Sequence, residues 1–229
     1  MNALDERIAA GMRDQLAVRD ERLRGGARQI GWKVGFGSPA AAAALEIDRP
    51  LVGFLIDGGL VLDGATVPVA GWAVPMLEPE IAARMARDVV PGARWADVRD
   101  AIGGLSAAIE LADVDPPPRD VRAILAGNIF HRNVMLGPVD RERRTAQGIA
   151  ARVVIDGEQA AQTDDPATLA GELVEVVRLT AELLEICGER LRAGEVVITG
   201  SVVPPLPVAP GQRVQVDLAP LGTLTVQLT

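Results

Sequence analysis

Apolar residues recur at near-helical spacing through the first two dozen positions, as Leu4, Ile8, Met12, Leu16 and Leu23 among charges, and the stripe runs up to Gly25-Gly26. This predicts an amphipathic lead helix over residues 4–24, stopped by the glycine pair. The period then changes. From Gln29 to Ser38 the chain alternates as a strand does, with glycines at 31, 35 and 37 that let the backbone approach another group closely. Pro39 to Leu45 follows as an alanine-rich helix with Ser38 as its N-cap. A strand, a glycine-rich turn and a helix start place Lys33 and Ser38 beside a candidate anion site.

Further along, Leu51–Leu62 and Thr66–Val69 read as short strands separated by the turn signals Asp57-Gly58-Gly59 and Asp63-Gly64. Val74 to Arg84 is apolar apart from Glu78 and Glu80. Trp95–Leu105 reads as a helix, and Ala107–Ala112 as an apolar run interrupted by Glu110 in a unit that Pro116-Pro117-Pro118 ends. Val121–Phe130 fits a helix and Arg152–Ile155 with Asp156-Gly157 the start of a hairpin. Thr168–Leu191 reads as one long amphipathic helix with Cys187 on its apolar side, finishing near Arg190, Arg192 and Gly194. Val196–Ile198, Val214–Leu218 and Thr223–Leu228 are alternating strands. Short strands mixed with helices, without a repeat, predict an α/β or α+β fold.

Charge and composition narrow the function classes. The 229 residues carry a net charge of −8 with 3% aromatics, so the basic stripe and stacking platforms of nucleic-acid binders are lacking. No apolar run approaches the ~20 residues that span a bilayer. Acidic residues stand where a secretion signal needs a basic start, and the single cysteine cannot form an internal disulfide. The expectation is a cytoplasmic protein with no membrane and no nucleic-acid partner.

One lysine, Lys33, stands among 23 cationic residues. Where arginine has replaced every generic cation, a retained lysine points to a compact ammonium whose proton can move, although an accidental survivor is the plain alternative. Three acids sit where acids are costly. If Glu78 and Glu80 lie on a strand they share one face, and Glu110, inside its own apolar run, closes a set of three carboxylates suited to Mg²⁺ or Mn²⁺. The competing reading puts Glu78 and Glu80 at the start of a surface helix after Pro75 and Glu110 in an ordinary ion pair. Spacing alone leaves both open. His131 is the single group that ordinarily titrates near neutrality, either a site residue or a hydrogen-bonded structural histidine. Arg132 is a candidate for a distal carboxylate, and Ser201 for the pocket lining.

Several segments resemble, in order, one family. They are Gly31-Trp32-Lys33-Val34-Gly35 with Ser38, Leu45-Glu46-Ile47-Asp48-Arg49-Pro50 with Gly53, Glu78-Pro79-Glu80-Ile81-Ala82, and Glu110-Leu111-Ala112-Asp113. Asn128 with Leu136-Gly137, and Thr199-Gly200-Ser201 with Pro207-Val208 and Pro210-Gly211, complete the series. They are similar to the 2-keto-4-pentenoate hydratase and 2-oxo-3-enedioate decarboxylase group of the fumarylacetoacetate hydrolase superfamily. The resemblance covers residues 29–229 and leaves 1–28 as an N-terminal helical arm. It implies an α+β fold, a mixed β-sandwich or β-roll with flanking helices, usually assembled as a homo-oligomer. It also implies a metal held by Glu78, Glu80 and Glu110 and a catalytic Lys33; with His131 and Arg132 added from their side-chain chemistry, the candidate substrate contacts are Ser38, Asn128, His131, Arg132 and Ser201.

The implied activity is metal-dependent hydration of a 2-hydroxy-2,4-dienoate or 2-oxo-enoate. The rivals are decarboxylation of a 2-oxo-3-enedioate, acylpyruvate-type carbon–carbon hydrolysis, and a catalytically silent partner subunit. The last gains weight from two departures: Leu51-Val52 follows Pro50 where many family hydratases carry an acid, and Gly127 stands where an aspartate usually precedes the asparagine. An acid–base function carried at either place is absent here.

Overall fold

A computed structural model describes residues 4–114 and 119–229. In chain order the elements are α1 (Glu6–Arg24), β1 (Gln29–Gly35), α2 (Pro39–Leu45), β2 (Leu51–Ile56), β3 (Leu60–Val61), β4 (Thr66–Val67), β5 (Pro75–Met85), α3 (Trp95–Ala101) and β6 (Ile102–Asp113). They continue as α4 (Val121–Ala126), β7 (His131–Leu136), β8 (Ala150–Ile155), β9 (Glu158–Thr163), α5 (Ala167–Ala170), α6 (Leu173–Ile186), β10 (Val196–Ser201), β11 (Leu206–Pro207), β12 (Arg213–Ala219) and β13 (Gly222–Leu228). The Pro116–Pro118 stop signal lies outside the described residues. Among the described residues no helix is long and apolar enough to cross a membrane.

The strands form two mixed sheets. The larger has the order β2-β1-β10-β5-β6-β7-β3, with β11 added on β5, and the smaller has the order β4-β13-β12-β8-β9. Most neighbours are antiparallel, while β1 with β10, β3 with β7 and β4 with β13 run parallel. The α+β sandwich-like architecture read from the sequence is the one observed.

Period-2 geometry sorts the long central strands onto two faces. Leu77, Ile81, Ala83 and Met85 of β5, with Leu105, Ala107, Ile109 and Leu111 of β6, enter the main core, which they share with Val214, Val216, Leu224 and Val226 of the smaller sheet. The alternate positions make the opposite face, where a second, smaller cluster contains Leu55, Ala82, Ala108, Val134, Val196 and Ile198. Lys33, Glu78, Glu80 and Glu110 alternate with residues of the main core and so belong to that second face.

Several predicted boundaries move. Trp95–Leu105 is helical only to Ala101, where the chain enters the long strand β6. Val121–Phe130 is helical only to Ala126, because Gly127 caps α4 and a left-handed turn follows. The helix foreseen over Thr168–Leu191 is two: Gly171, at φ +88°, breaks it, and Glu172 restarts it by accepting hydrogen bonds from the N–H groups of Val174 and Glu175 at 3.2 and 2.8 Å. It ends at Cys187, which caps α6 and packs half-buried against the core, rather than near Gly194. By contrast α2 starts where its sequence says, with Ser38 Oγ accepting from the Ala41 N–H.

The lead helix α1 buries Ile8 and Met12 completely, as its stripe predicts. Its polar residues are bound in as well. Gln15 donates to the carbonyls of Val52 and Leu125, and Arg19 lies over the Trp32 ring at 5.6 Å while pairing with Glu189 at 2.6 Å. The arm therefore braces β1 and β2 from behind the face that carries Lys33.

Gly31 is the closest approach in the strand that presents Lys33: a Cβ there would stand 2.0 Å from the Val196 carbonyl oxygen. Gly31→Ala is expected to destabilise the protein by about 1–3 kcal/mol or more, as overpacking does, measured by urea unfolding. Gly58→Ala, where a Cβ meets nothing within 4 Å, should stay within about 0.5 kcal/mol of the parent. Equal effects of the two changes would refute this account of the β1–β10 contact.

Candidate metal centre and active-site cavity

Strand pairing brings the acids together. Glu78 on β5 is in direct register with Glu110 on β6, and Glu80 lies two residues along the same face. One carboxylate oxygen from each of Glu78, Glu80 and Glu110 lies within 4.8 Å of the others. The surface-helix reading of Glu78 and Glu80 is therefore wrong, because Pro75–Met85 is a strand in the middle of the large sheet. Glu80 and Glu110 are fully buried.

Lys33 enters from β1. Its Nζ donates to Glu110 Oε1 at 2.5 Å and to the Ile129 carbonyl at 3.1 Å. Gly53, its neighbour on β2, leaves room for this side chain: a Cβ there would lie 2.9 Å from Lys33 Cγ and 2.7 Å from Asn128 Oδ1. Glu80 is held from β10, whose Gly200 N–H donates to its Oε2 at 2.7 Å. His131 joins from β7, with Nδ1 2.8 Å from the same Glu110 Oε1 that takes the lysine bond.

The acceptor for Lys33 comes from an unusual turn. Asn128, Ile129 and Phe130 have φ of +53°, +50° and +62°, all left-handed. For a β-branched residue such as Ile129 this conformation is rare and strained. Asn128 holds it in place, since its Oδ1 accepts from the Phe54 N–H at 2.8 Å and its Nδ2 donates to the Phe54 carbonyl at 3.0 Å. The turn presents the Ile129 carbonyl to Lys33 and places Ile129 and Phe130 in the wall of the cavity above.

The electrostatics follow from burial around one ammonium. Burial, and then the charge of Glu110, raise the Glu78 carboxyl to about 7 despite Lys33. Glu80 is also pushed well above the usual carboxylate range, by burial first and by Glu110 and Glu78 next. Burial also works to raise Glu110, but the Lys33 charge and the hydrogen bonds from His131 and Lys33 outweigh it and bring that carboxyl down to about 2. Burial would lower Lys33, yet the three carboxylates more than reverse it, so the amine is held charged. The lysine is thus a proton donor in this state, not a free base.

Two oxygens, Glu80 Oε1 and Glu110 Oε2, are buried without a hydrogen-bond partner. Buried acceptors with no donor are costly, and three carboxylates around one ammonium leave an excess of negative charge. A hard divalent cation with oxygen ligands fits both facts.

Above the acids lies a cavity of about 380 Å³ whose lining includes Lys33, Ser38, Glu78, Thr199, Gly200 and Ser201. Of the other sequence candidates, Ser201 donates its hydroxyl proton to the Val203 carbonyl at 2.6 Å, leaving its lone pairs available. Asn128 is spent on clamping Phe54, one step removed from the cavity. Arg132 is not brought to the lining: it is exposed, pairs with Asp113 at 2.9 Å and lies 6.0 Å from the Trp72 ring. Leu51 and Val52 are core residues, and Gly127 ends α4. Sequence reasoning missed the backbone groups of Ile129 and Gly200. Gly200 carried a signal in its glycine, whereas nothing in Ile129-Phe130 announces a left-handed turn.

Comparison with known proteins supplies the family. The fumarylacetoacetate (FAA) hydrolase C-terminal family model matches residues 33–229. A 2-keto-4-pentenoate hydratase of Burkholderia vietnamiensis is 30% identical over 215 residues, covering 92% of this chain and 82% of that protein. The structure of 4-oxalocrotonate decarboxylase from Pseudomonas putida G7, complexed with magnesium and adipate, matches with a TM-score of 0.87 at 25% identity, over 94% of this chain and 83% of that one. Fumarylpyruvate hydrolase from Pseudomonas aeruginosa, in complex with Mn²⁺ and pyruvate, shares the fold at a TM-score of 0.68 and 18% identity, over 88% and 89% of the two chains. The chain belongs to the fumarylacetoacetate hydrolase family, beside its 2-keto-4-pentenoate hydratases and 4-oxalocrotonate decarboxylases.

Proposed function

We propose that the chain is a divalent-metal-dependent hydratase that adds water to a 2-hydroxy-2,4-dienoate or 2-oxo-enoate, with Mg²⁺ or Mn²⁺ held by Glu78, Glu80 and Glu110. The observation that carries this reading is the convergence of three carboxylates, two of them fully buried with unpartnered oxygens, around one ammonium beneath a small-molecule-sized cavity. The similarity to a named hydratase at 30% identity supports the reaction. The reading takes residues 29–229 as the catalytic unit and 1–28 as its arm, and includes a cytoplasmic setting, from the acidic start and the single cysteine, and a homo-oligomeric assembly, from the family resemblance.

The bound ion supplies Lewis-acid stabilisation of negative charge on a substrate oxygen. The protein's part is performed by Lys33. Two of its three N–H groups are engaged by Glu110 and Ile129, so the third can orient a substrate carboxylate. Held charged by the acids, Lys33 Nζ also carries a proton that can be placed on C5 as the dienol ketonises, the C2 hydroxyl proton passing back to the amine so that the step is a net isomerisation. The resulting C3–C4 double bond is conjugated with the 2-oxo group, and water adds at C4. His131 acts on Glu110: with Nδ1 and Lys33 Nζ both on Oε1, the carboxylate is turned so that Oε2 is left for the ion.

A second reading, decarboxylation, is favoured by the match to the P. putida decarboxylase structure, since stabilised enolate character serves either reaction. Product analysis separates them: hydration retains every carbon, and decarboxylation releases carbon dioxide.

Glu80→Gln is expected to weaken Mg²⁺ binding at least about tenfold with the fold retained, since even outer-shell partners of a metal are worth that much. Titration calorimetry beside circular dichroism checks this, and unchanged affinity would remove Glu80 from the metal set. Lys33→Arg keeps the charge but cannot release a proton, so kcat should fall by about 100-fold or more in a dienoate hydration assay. Full activity in that variant would leave the lysine an accidental survivor.

Mg²⁺ loading near pH 7 should also expel protons. With the Glu78 carboxyl raised to about 7, part of its population is protonated in the free site, Glu80 is raised as well, and ligation needs both ionised. Affinity therefore rises with pH through the neutral range. Calorimetry in buffers of different ionisation enthalpy measures the release, and a value of zero would contradict the raised carboxyls.

A further inference from the structure

The charged side chains of the cavity lining are Lys33 and Glu78, and its uncharged polar ones are Ser38, Thr199 and Ser201. An apolar stretch of wall is built by Val74, Met76, Val114, Phe130, Leu169 and Ala170, from the ends of β5 and β6, the left-handed turn and the short helix α5. Lys33 is the one cationic side chain among the described residues of that lining, and residues 1–3 and 115–118 carry no cationic side chain in the sequence. Arg132, the residue best suited by sequence to meet a distal carboxylate, is instead paired with Asp113 outside the lining.

From this wall, and resting on the chelate site proposed above, we propose that the substrate is a 2-oxo or 2-hydroxydienoic monocarboxylic acid with an uncharged hydrocarbon tail, and that dicarboxylic acids are selected against. The argument is one of charge and of solvation. Three glutamates are balanced by Lys33 and a divalent cation, so the site has no positive charge to spare beyond the one ammonium and the ion that a 2-oxo acid head would engage. A second carboxylate at the far end would have to shed water against Val74, Met76, Val114 and Phe130 with no cationic side chain of the described lining to pair with, and an unpaired charge taken from water is strongly disfavoured. A methyl or longer alkyl end in the same place gains from burial instead. The dienedioates are thereby separated from the dienoates by the wall and not by the metal, and among the reactions open to this family the hydration of a monocarboxylic dienoate is the one the cavity fits.

The test uses the wild-type protein saturated with Mg²⁺ and unreactive acids of matched length. 2-Oxohexanoate and 2-oxoadipate share six carbons and the same 2-oxo acid head, and they differ in ending in a methyl group or a carboxylate. Titration calorimetry should find 2-oxohexanoate tighter by about tenfold or more. Affinity should rise from 2-oxobutanoate through 2-oxohexanoate to 2-oxooctanoate, by up to roughly fourfold per methylene buried. Equal or tighter binding of 2-oxoadipate, or no gain with chain length while Mg²⁺-dependent oxalate binding persists, would overturn the inference and leave the chelate site standing. Failure of oxalate itself to bind with Mg²⁺ would overturn the underlying chelate reading, and the tail preference with it.

Discussion

Three carboxylates and one ammonium share a buried patch on the second face of the large sheet, and much of the surrounding structure is explained by keeping them there. Each carboxylate taken from water must be matched by a charge or a donor. Glu110 has Lys33 and His131, and Glu80 has the Gly200 N–H. Glu78 faces the cavity with no hydrogen-bond donor, and burial, with the Glu110 charge behind it, raises its carboxyl. The register of β5 against β6 is therefore more than a packing solution: a slip of one residue would carry Glu78 and Glu80 into an apolar core and expose Leu77 and Ile81 in their place.

The back of the site is built with the same economy of charge. Trp32 alternates with Lys33 on β1 and points the other way. Its indole Nε1 donates to Glu195 Oε2 at 3.1 Å, and the same carboxylate accepts from Gln29 and from the Arg192 N–H. Arg19 of the lead helix covers the ring and reaches Glu189. One strand thus carries a catalytic candidate on one side and a hydrogen-bonded anchor on the other, so the arm and the segment before β10 both determine where Lys33 sits.

The sequence made legible those features in which local chemistry and final structure agree. Ser38 before an alanine-rich run is an N-cap in any context, and Asp156-Gly157 with its positive φ angles suits a tight hairpin. The lone lysine and the three misplaced acids stood out because each violates the apolar pattern around it. What stayed hidden depended on distant partners. Nothing near Arg19 says that a guanidinium will be buried against a tryptophan, and nothing near His131 says that it will reach Glu110, because those meetings are made by strand order. The break at Gly171 was obscured by apolar periodicity on both sides of it, and the left-handed Ile129 is imposed by the Asn128 clamp on Phe54 against the residue's own preference. Arg132 read as a pocket residue because of its type, but the alternation of β7 and the nearness of Asp113 turn it outward.

The left-handed turn has a consequence for how this site can diverge. A single rigid piece, Asn128-Ile129-Phe130, supplies the carbonyl that positions Lys33 and also part of the wall that would touch a substrate's tail. A replacement at Phe130 is therefore filtered twice, once for the ligand it admits and once for the strained backbone it must tolerate beside the lysine. Val74, Met76 and Val114, at strand ends away from the clamp, are under no such double demand. Variation in tail recognition among proteins descended from this one has an open route through those three positions and a narrow one through the turn, so lineages that exchange ligands should keep the turn and rewrite the strand ends.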